Sequence, residues 1–252
     1  MIAAERHLRI LELARREGSV RTTELARDYD VTEETIRRDL DLLTRQGKLR
    51  RIHGGAMDVS SAREELPQNE RRTRQLTEKT AIAKTAATLL SPSETILLDA
   101  SSTAIEFAAQ LPIGMPLRVV TYSLDVVDQL IHQPHIEIIQ LGGSYEARGR
   151  RFSGFITEAS LSAIRIDRFF YSGGGFDLER GLSEPNQEQA RLKRLMIHHA
   201  AWNCVLIDHT KLGAQADFFA ATPEQIHAVV SDAAAAEYFN DLSTSYDLHF
   251  AP

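Results

Sequence analysis

From Thr77 to its end the chain repeats one alternation: a short unbroken apolar run, a few small polar residues, then a segment with apolar residues at helical spacing. The runs are "TILLD", "LRVVT", "IEIIQLGG", "RFFYSGGG", "CVLIDHTK" and "IHAVVSD". Between them come "TEKTAIAKTAATLL", "STAIEFAAQL", "SLDVVDQLI", "ITEASLSAI" and "EQARLKRLMIHHAAW", and "AAAAEYFNDL" follows the last. A strand that is apolar on both sides must be covered on both, and strands joined through helices run parallel. The expected fold class is α/β, with a largely parallel sheet covered on both faces over residues 77–252.

The first 55 residues follow a different rule. Leu8, Ile10, Leu11 and Leu13 give a first helix an apolar stripe that stops at Gly18. "VRTTELARDYD" starts a second helix with Thr22 or Thr23 as its N-cap and breaks at Asp30. A third runs from Thr32, its cap, to Gly47. "KLRRIHGG" then reads as a short basic hairpin. The expected unit is a winged helix-turn-helix over residues 3–58. Residues 59–76, mixed in charge, poor in large apolar residues and containing Pro67, read as a linker with a short helical piece.

In "TEETIRRDL", Ile36, Leu40 and Leu43 share one face of the third helix, which places Glu34 and Arg38 opposite and Thr35 and Arg37 on the flanks. A helix-turn-helix puts the N-terminal half of such a helix in the major groove, where the arginine fork can take two acceptors of a guanine edge. Thr22 and Thr32 at helix starts, with Arg50, Arg51 and His53 on the wing, are candidates for backbone contacts. Double-stranded DNA is the expected partner. The net charge of −6 conceals an excess of +2 in residues 1–80 against −8 in the rest, so overall acidity does not exclude it.

In a parallel sheet, ligands sit beyond the carboxyl ends of the strands. Five loops there are small and polar: "DASST", "TYS", "LGG", "YSGGG" and "DHTK". Ser101, Ser102 and Thr103 open a helix, where free N–H groups favour an anion, and Lys211 carries the opposite charge. Asp99, Thr121, Tyr122, Ser123, Gly142, Gly143, Gly173 and Gly174 complete the candidate set. Ser101 can equally be a plain helix cap and the glycines plain turns.

"TTELARDYDVTEETIRRDLDLLTRQGKLRRIHGGA" resembles the DeoR-type family of bacterial transcription regulators, and the likeness continues through Asp99 to Thr103, Thr121 to Ser123, Gly142 with Gly143, and Asp208 to Lys211. Ser101 stands where the family has glycine, and Tyr122 where it has asparagine. The resemblance implies a sensor fold similar to ribose-phosphate isomerases. It also implies a repressor of a carbohydrate or nucleoside operon, a phosphorylated sugar as effector, no cofactor, and a homo-oligomer, dimer or tetramer. Two alternatives stay open: a DNA-binding protein whose larger domain only oligomerises, and an isomerase-like enzyme using Asp99, Glu188 and Lys211.

Cys204 is the only cysteine, so no internal disulfide forms, and no apolar run approaches the roughly 18 residues of a membrane span. The expected location is the cytoplasm. His132, His135, His198 and His199 lack metal-ligand spacing and read as surface residues.

Overall fold

The computed structural model describes residues 2–52, 54–58, 65–239 and 246–252. It begins with α1 (Ala3–Glu17), β1 (Ser19–Arg21), α2 (Thr22–Tyr29), α3 (Glu33–Arg45), β2 (Leu49–Ile52) and β3 (Gly55–Asp58). Gly18 ends α1 at φ 89°, Asp30 ends α2 in the left-handed region, and Thr32 caps α3 by accepting from the Thr35 N–H at 3.2 Å. The expected stripe Ile36, Leu40 and Leu43 is buried with Ile10, Ala14 and Leu25.

Three details differ from the sequence reading. Leu8 is 63% exposed, because it lies about 200° around the helix from Ile10; the buried face of α1 is Arg6, Ile10 and Ala14. The wing has a third strand, β1, which pairs antiparallel with β3. Thr22 is the first helical residue of α2 rather than its cap, and it is buried, its N–H donating to Gly54 O. Arg6 reaches across to Asp39 of α3, which also takes Nε2 of His7 at 2.7 Å. Burial raises the Asp39 pKa, but these two partners outweigh it and hold the carboxyl below its ordinary value. Asp39→Ala is therefore expected to destabilise the N-terminal unit by about 1.5–3 kcal/mol in denaturant unfolding at neutral pH. The loss shrinks as pH falls through the folded carboxylate's own depressed pKa, where the wild type gives up the same contribution.

The second part comprises α4 (Gln68–Thr73), α5 (Leu76–Ala87), β4 (Thr95–Leu98), α6 (Ser102–Ala109), β5 (Leu117–Thr121), α7 (Leu124–Leu130) and β6 (Ile136–Gln140). It continues with β7 (Ser144–Glu146), β8 (Arg151–Ser153), α8 (Phe155–Leu161), β9 (Ile166–Tyr171), β10 (Gly175–Asp177), β11 (Gly181–Glu184) and α9 (Gln187–His199). The last elements are β12 (Ala200–Leu206), β13 (Phe218–Ala221), β14 (Ala228–Asp232), α10 (Ala236–Phe239) and β15 (Asp247–Ala251). Seven strands form one sheet in the order β15-β14-β12-β9-β4-β5-β6, and every neighbouring pair is parallel. Successive residues alternate between faces: Leu97, Phe169, Val205 and Val229 pack under α8, α9 and α10, while Ile96, Leu98, Phe170 and Cys204 pack under α5, α6 and α7. Burial pushes the Cys204 thiol up, which keeps it protonated.

The β7–β8 hairpin, the small sheet β10-β11-β13 and the edge strand β15 have no counterpart in the sequence reading. Each is short, and apart from β13, "FFAA", each is interrupted by polar residues or glycine.

Candidate functional site

The outward face of α3 carries exposed Glu33, Glu34, Arg37 and Arg38. Arg37 pairs with Glu33 at 2.9 Å and Arg38 with Glu34 at 3.1 Å, one helical turn apart. Thr35 is half-buried and shares a hydrogen bond with the Thr32 hydroxyl. Such exposed pairs contribute only about 0.3–0.5 kcal/mol, so they exchange readily for other partners. The wing arginines are engaged differently from the sequence expectation. Arg50 donates to Gln215 O in the second domain, and Arg51 donates to Gly55 O and pairs with Asp41. Thr22, buried, is not on this surface, and His53 lies outside the described residues.

The sheet order explains where a ligand can sit. The chain leaves β4 to build β5 and β6 on one side, then returns to place β9 against the other side of β4. The loops after β4 and β9 therefore diverge, leaving a crevice at the switch point. A cavity of about 800 Å³, counting its open mouth, lies there. Ser101 and Ser102 from the β4 loop, Gly173 and Gly174 from the β9 loop, and Asp208 and Lys211 from the β12 loop line it.

Asp99 builds these loops. Its Oδ1 accepts from the Ser101 N–H and hydroxyl, and its Oδ2 accepts from the Ser172 N–H at 3.2 Å and pairs with Lys193 at 2.9 Å. Lys193 is buried, yet Asp99 and Glu184 outweigh that burial and hold its pKa above the ordinary value. Ser101 also caps α6 by accepting from the Ala104 N–H, and its one O–H donor is committed to Asp99. Among the described residues nothing hydrogen-bonds the Ser102 hydroxyl. Lys211 Nζ lies 3.8 Å from Asp208 Oδ2 and 3.5 Å from the Ser172 hydroxyl.

Five expected residues are elsewhere because they follow β5 and β6, on the far side of β4. Thr121 donates to Leu98 O and Ser123 caps α7. Tyr122 is buried, with its hydroxyl donating to Gln189. Gly142 O accepts from Thr157, and a Cβ on Gly143, at φ 144°, would fall 2.3 Å from the Thr157 hydroxyl, so that glycine is required by packing. Thr103 is buried in α6 behind the loop. Nor do the groups of the enzyme alternative converge: Glu188 is exposed at the start of α9, and Asp99 is held by Lys193.

The sequence reading missed most of the cavity's charge. Arg71, Arg74 and Lys79 line it, with Glu65, on the segment read as linker and on the first turn of α5. That segment is fixed to the second domain. Glu65 takes the buried Arg151 guanidinium, and Gln68 bonds Arg148 O through its N–H and Ala100 O through its side chain. Glu17, Gly18 and Met57 close the cavity from the DNA-binding side. A run of four cations in "RRTRQLTEK" was the available signal, but charge alone does not distinguish a solvated face from a cavity wall.

A winged helix-turn-helix joined to a parallel α/β domain with a crevice at its switch point, lined by four cations and four carboxylates, is the architecture of a transcription regulator with a sensor domain. The chain belongs to the DeoR family. Residues 6–62 match the DeoR-like helix-turn-helix domain and residues 74–233 the DeoR C terminal sensor domain. The HTH-type transcriptional regulator GolR of Listeria innocua is 35% identical over 92% of this chain and 91% of its own. The glycerol-3-phosphate regulon repressor of Escherichia coli is 32% identical over 92% of each. Among solved structures, ribose 5-phosphate isomerase A of Methanocaldococcus jannaschii superposes over 53% of each chain at 18% identity, with a TM-score of 0.38.

No described helix is long and apolar enough to cross a membrane.

Proposed function

We propose that the protein represses an operon of carbohydrate or nucleoside catabolism and leaves its double-stranded operator when a phosphorylated sugar occupies the cavity at Ser102 and Lys211. One observation carries this reading: the cavity walls come from both domains, so a ligand there touches Glu17, Gly18 and Met57 of the DNA-binding unit directly. Relatives that include a glycerol-3-phosphate regulon repressor and a lactose phosphotransferase system repressor support the chemical class. In this reading α3 enters the major groove with Thr35, Arg37 and Arg38, flanked by Thr32 and Glu34, and the wing residues Arg51 and His53 meet the backbone. The protein acts in the cytoplasm as a homo-oligomer, dimer or tetramer. The exposed Tyr145, Phe155 and Ile156 supply an apolar surface for self-association. A 100-fold preference of the effector for the DNA-incompetent arrangement supplies about 2.7 kcal/mol of coupling.

The test is a thermal-shift panel of sugar phosphates. At 100 times its Kd an effector contributes about 2.7 kcal/mol, enough to raise Tm by about 5 °C or more. The matching unphosphorylated sugars are expected to leave it unchanged, and a panel with no response contradicts the reading.

Binding also carries a pH signature. Burial, then the neighbouring Lys211, pushes the Lys79 ammonium down to about 7, with Arg71 and Arg74 adding to this and Asp208 opposing it. An anion in the same cavity favours the protonated form. Effector affinity measured by calorimetry is therefore expected to fall as pH rises above about 7, by up to about tenfold per unit. It falls again below about pH 6, as the phosphate loses its second charge.

A further inference from the structure

Lys79 is an unusual wall for a cavity. It is buried, and its ammonium donates to the carbonyls of Arg71, at 2.6 Å, and Arg74. Among the described residues no carboxylate lies within ion-pairing distance of it. An ammonium has three N–H donors, so one remains beyond the two carbonyls. Arg71 is underused in the same way. Its Nε and Nη2 are sealed from solvent and donate no hydrogen bond, although Glu65 Oε1 stands 3.3 Å from Nη2. Buried donors of this kind are rare unless a partner of opposite charge completes them.

Arg71 belongs to the segment between the domains and Lys79 to the first turn of α5 that follows it, and that segment grips the DNA-binding unit. Arg74 donates to Arg15 O in the last turn of α1, and its Nη1 would lie 3.4 Å from a Cβ on Gly18. The chain turns sharply between α4 and α5, with Gln75 in the left-handed region at φ 49°. The Arg74 carbonyl at this turn is one of the two that Lys79 holds.

We propose that Arg71 and Lys79 bind the phosphate group in this cavity, and that transfer of the Lys79 ammonium from the Arg71 and Arg74 carbonyls to the phosphate releases Arg74's hold on α1. The proposal rests on reading the cavity as the effector site. It adds the residues that complete the anion site and the step that carries occupancy to the DNA-binding domain. Phosphate oxygens compete for such an ammonium because they carry a full opposite charge, whose attraction at hydrogen-bonding distance a neutral carbonyl lacks. Once Lys79 swings away, the turn at residues 74–75 loses a clasp that no other described side chain provides.

The experiment uses the full chain with inorganic phosphate as probe, following phosphate affinity by calorimetry and amide hydrogen exchange by mass spectrometry. In the wild type, phosphate is expected to slow exchange at residues 101–104 and speed it at residues 71–79. Lys79→Met is expected to bind phosphate about tenfold or more weakly and to exchange rapidly at residues 71–79 with or without phosphate. If Lys79→Met does not fold, Arg71→Met carries the same expectation for affinity. Wild-type affinity in the folded variant, with the phosphate-dependent exchange change intact, would overturn the proposal while leaving the effector site standing. A wild type in which phosphate leaves residues 101–104 unchanged would overturn both.

Discussion

Arg38→Ala is expected to weaken operator binding by about 5- to 150-fold while leaving the fold and the cavity intact. The estimate follows from one bidentate arginine contact to a base, about 1–3 kcal/mol of discrimination. The fold is spared because Arg38 is exposed and, among the described residues, pairs only with Glu34, a pairing worth a few tenths of a kcal/mol. Removing it also leaves Glu34 unpaired on the face presented to DNA, which adds repulsion. Binding to unrelated DNA is expected to fall less, since the phosphate contacts proposed for the wing and for Thr32 are untouched by the substitution. Fluorescence anisotropy on operator and scrambled duplexes checks this; unchanged sequence preference in the variant refutes the assignment of α3.

Ser102→Ala combined with Lys211→Ala is expected to give a protein that binds its operator normally and ignores its inducer. Ser102 brings an unengaged hydroxyl to the cavity, and Lys211 brings a cation held only loosely by Asp208 at 3.8 Å. Neither contributes to the sheet core, and Asp208 retains its bonds from Thr210. Each charge-assisted contact contributes about 1.5–3 kcal/mol, so losing both weakens effector binding by about two to four orders of magnitude. Induction at wild-type effector concentrations in this variant refutes the phosphate site.

The parallel sheet and the recognition helix were legible because each leaves a periodic trace: unbroken apolar runs for the strands, and Ile36, Leu40 and Leu43 for the helix. The loops at the carboxyl ends of the strands were legible as well. Which of them share a crevice was not, because that depends on strand order. β9 sits beside β4 on the side opposite β5, and this alone separates Ser101 and Gly173 from Tyr122 and Gly143. The cavity role of Arg71 and Arg74, in the segment read as a linker, was hidden for a related reason. That segment's polar composition reflects a cavity wall and a domain junction, and both resemble a solvated linker when seen one residue at a time. Arg50 shows the same limit: its charge suits DNA, but its place against Gln215 comes from the docking of two domains.

In the proposed mechanism, occupancy of the cavity opposes DNA binding. The direct measurement is operator affinity of the full chain, on the promoter beside its own gene, as each sugar phosphate that raises Tm is titrated at fixed salt. Affinity is expected to fall and level off about 100-fold weaker at saturation. Affinity unchanged at saturating effector, with binding to the cavity demonstrated in the same sample, would contradict that mechanism.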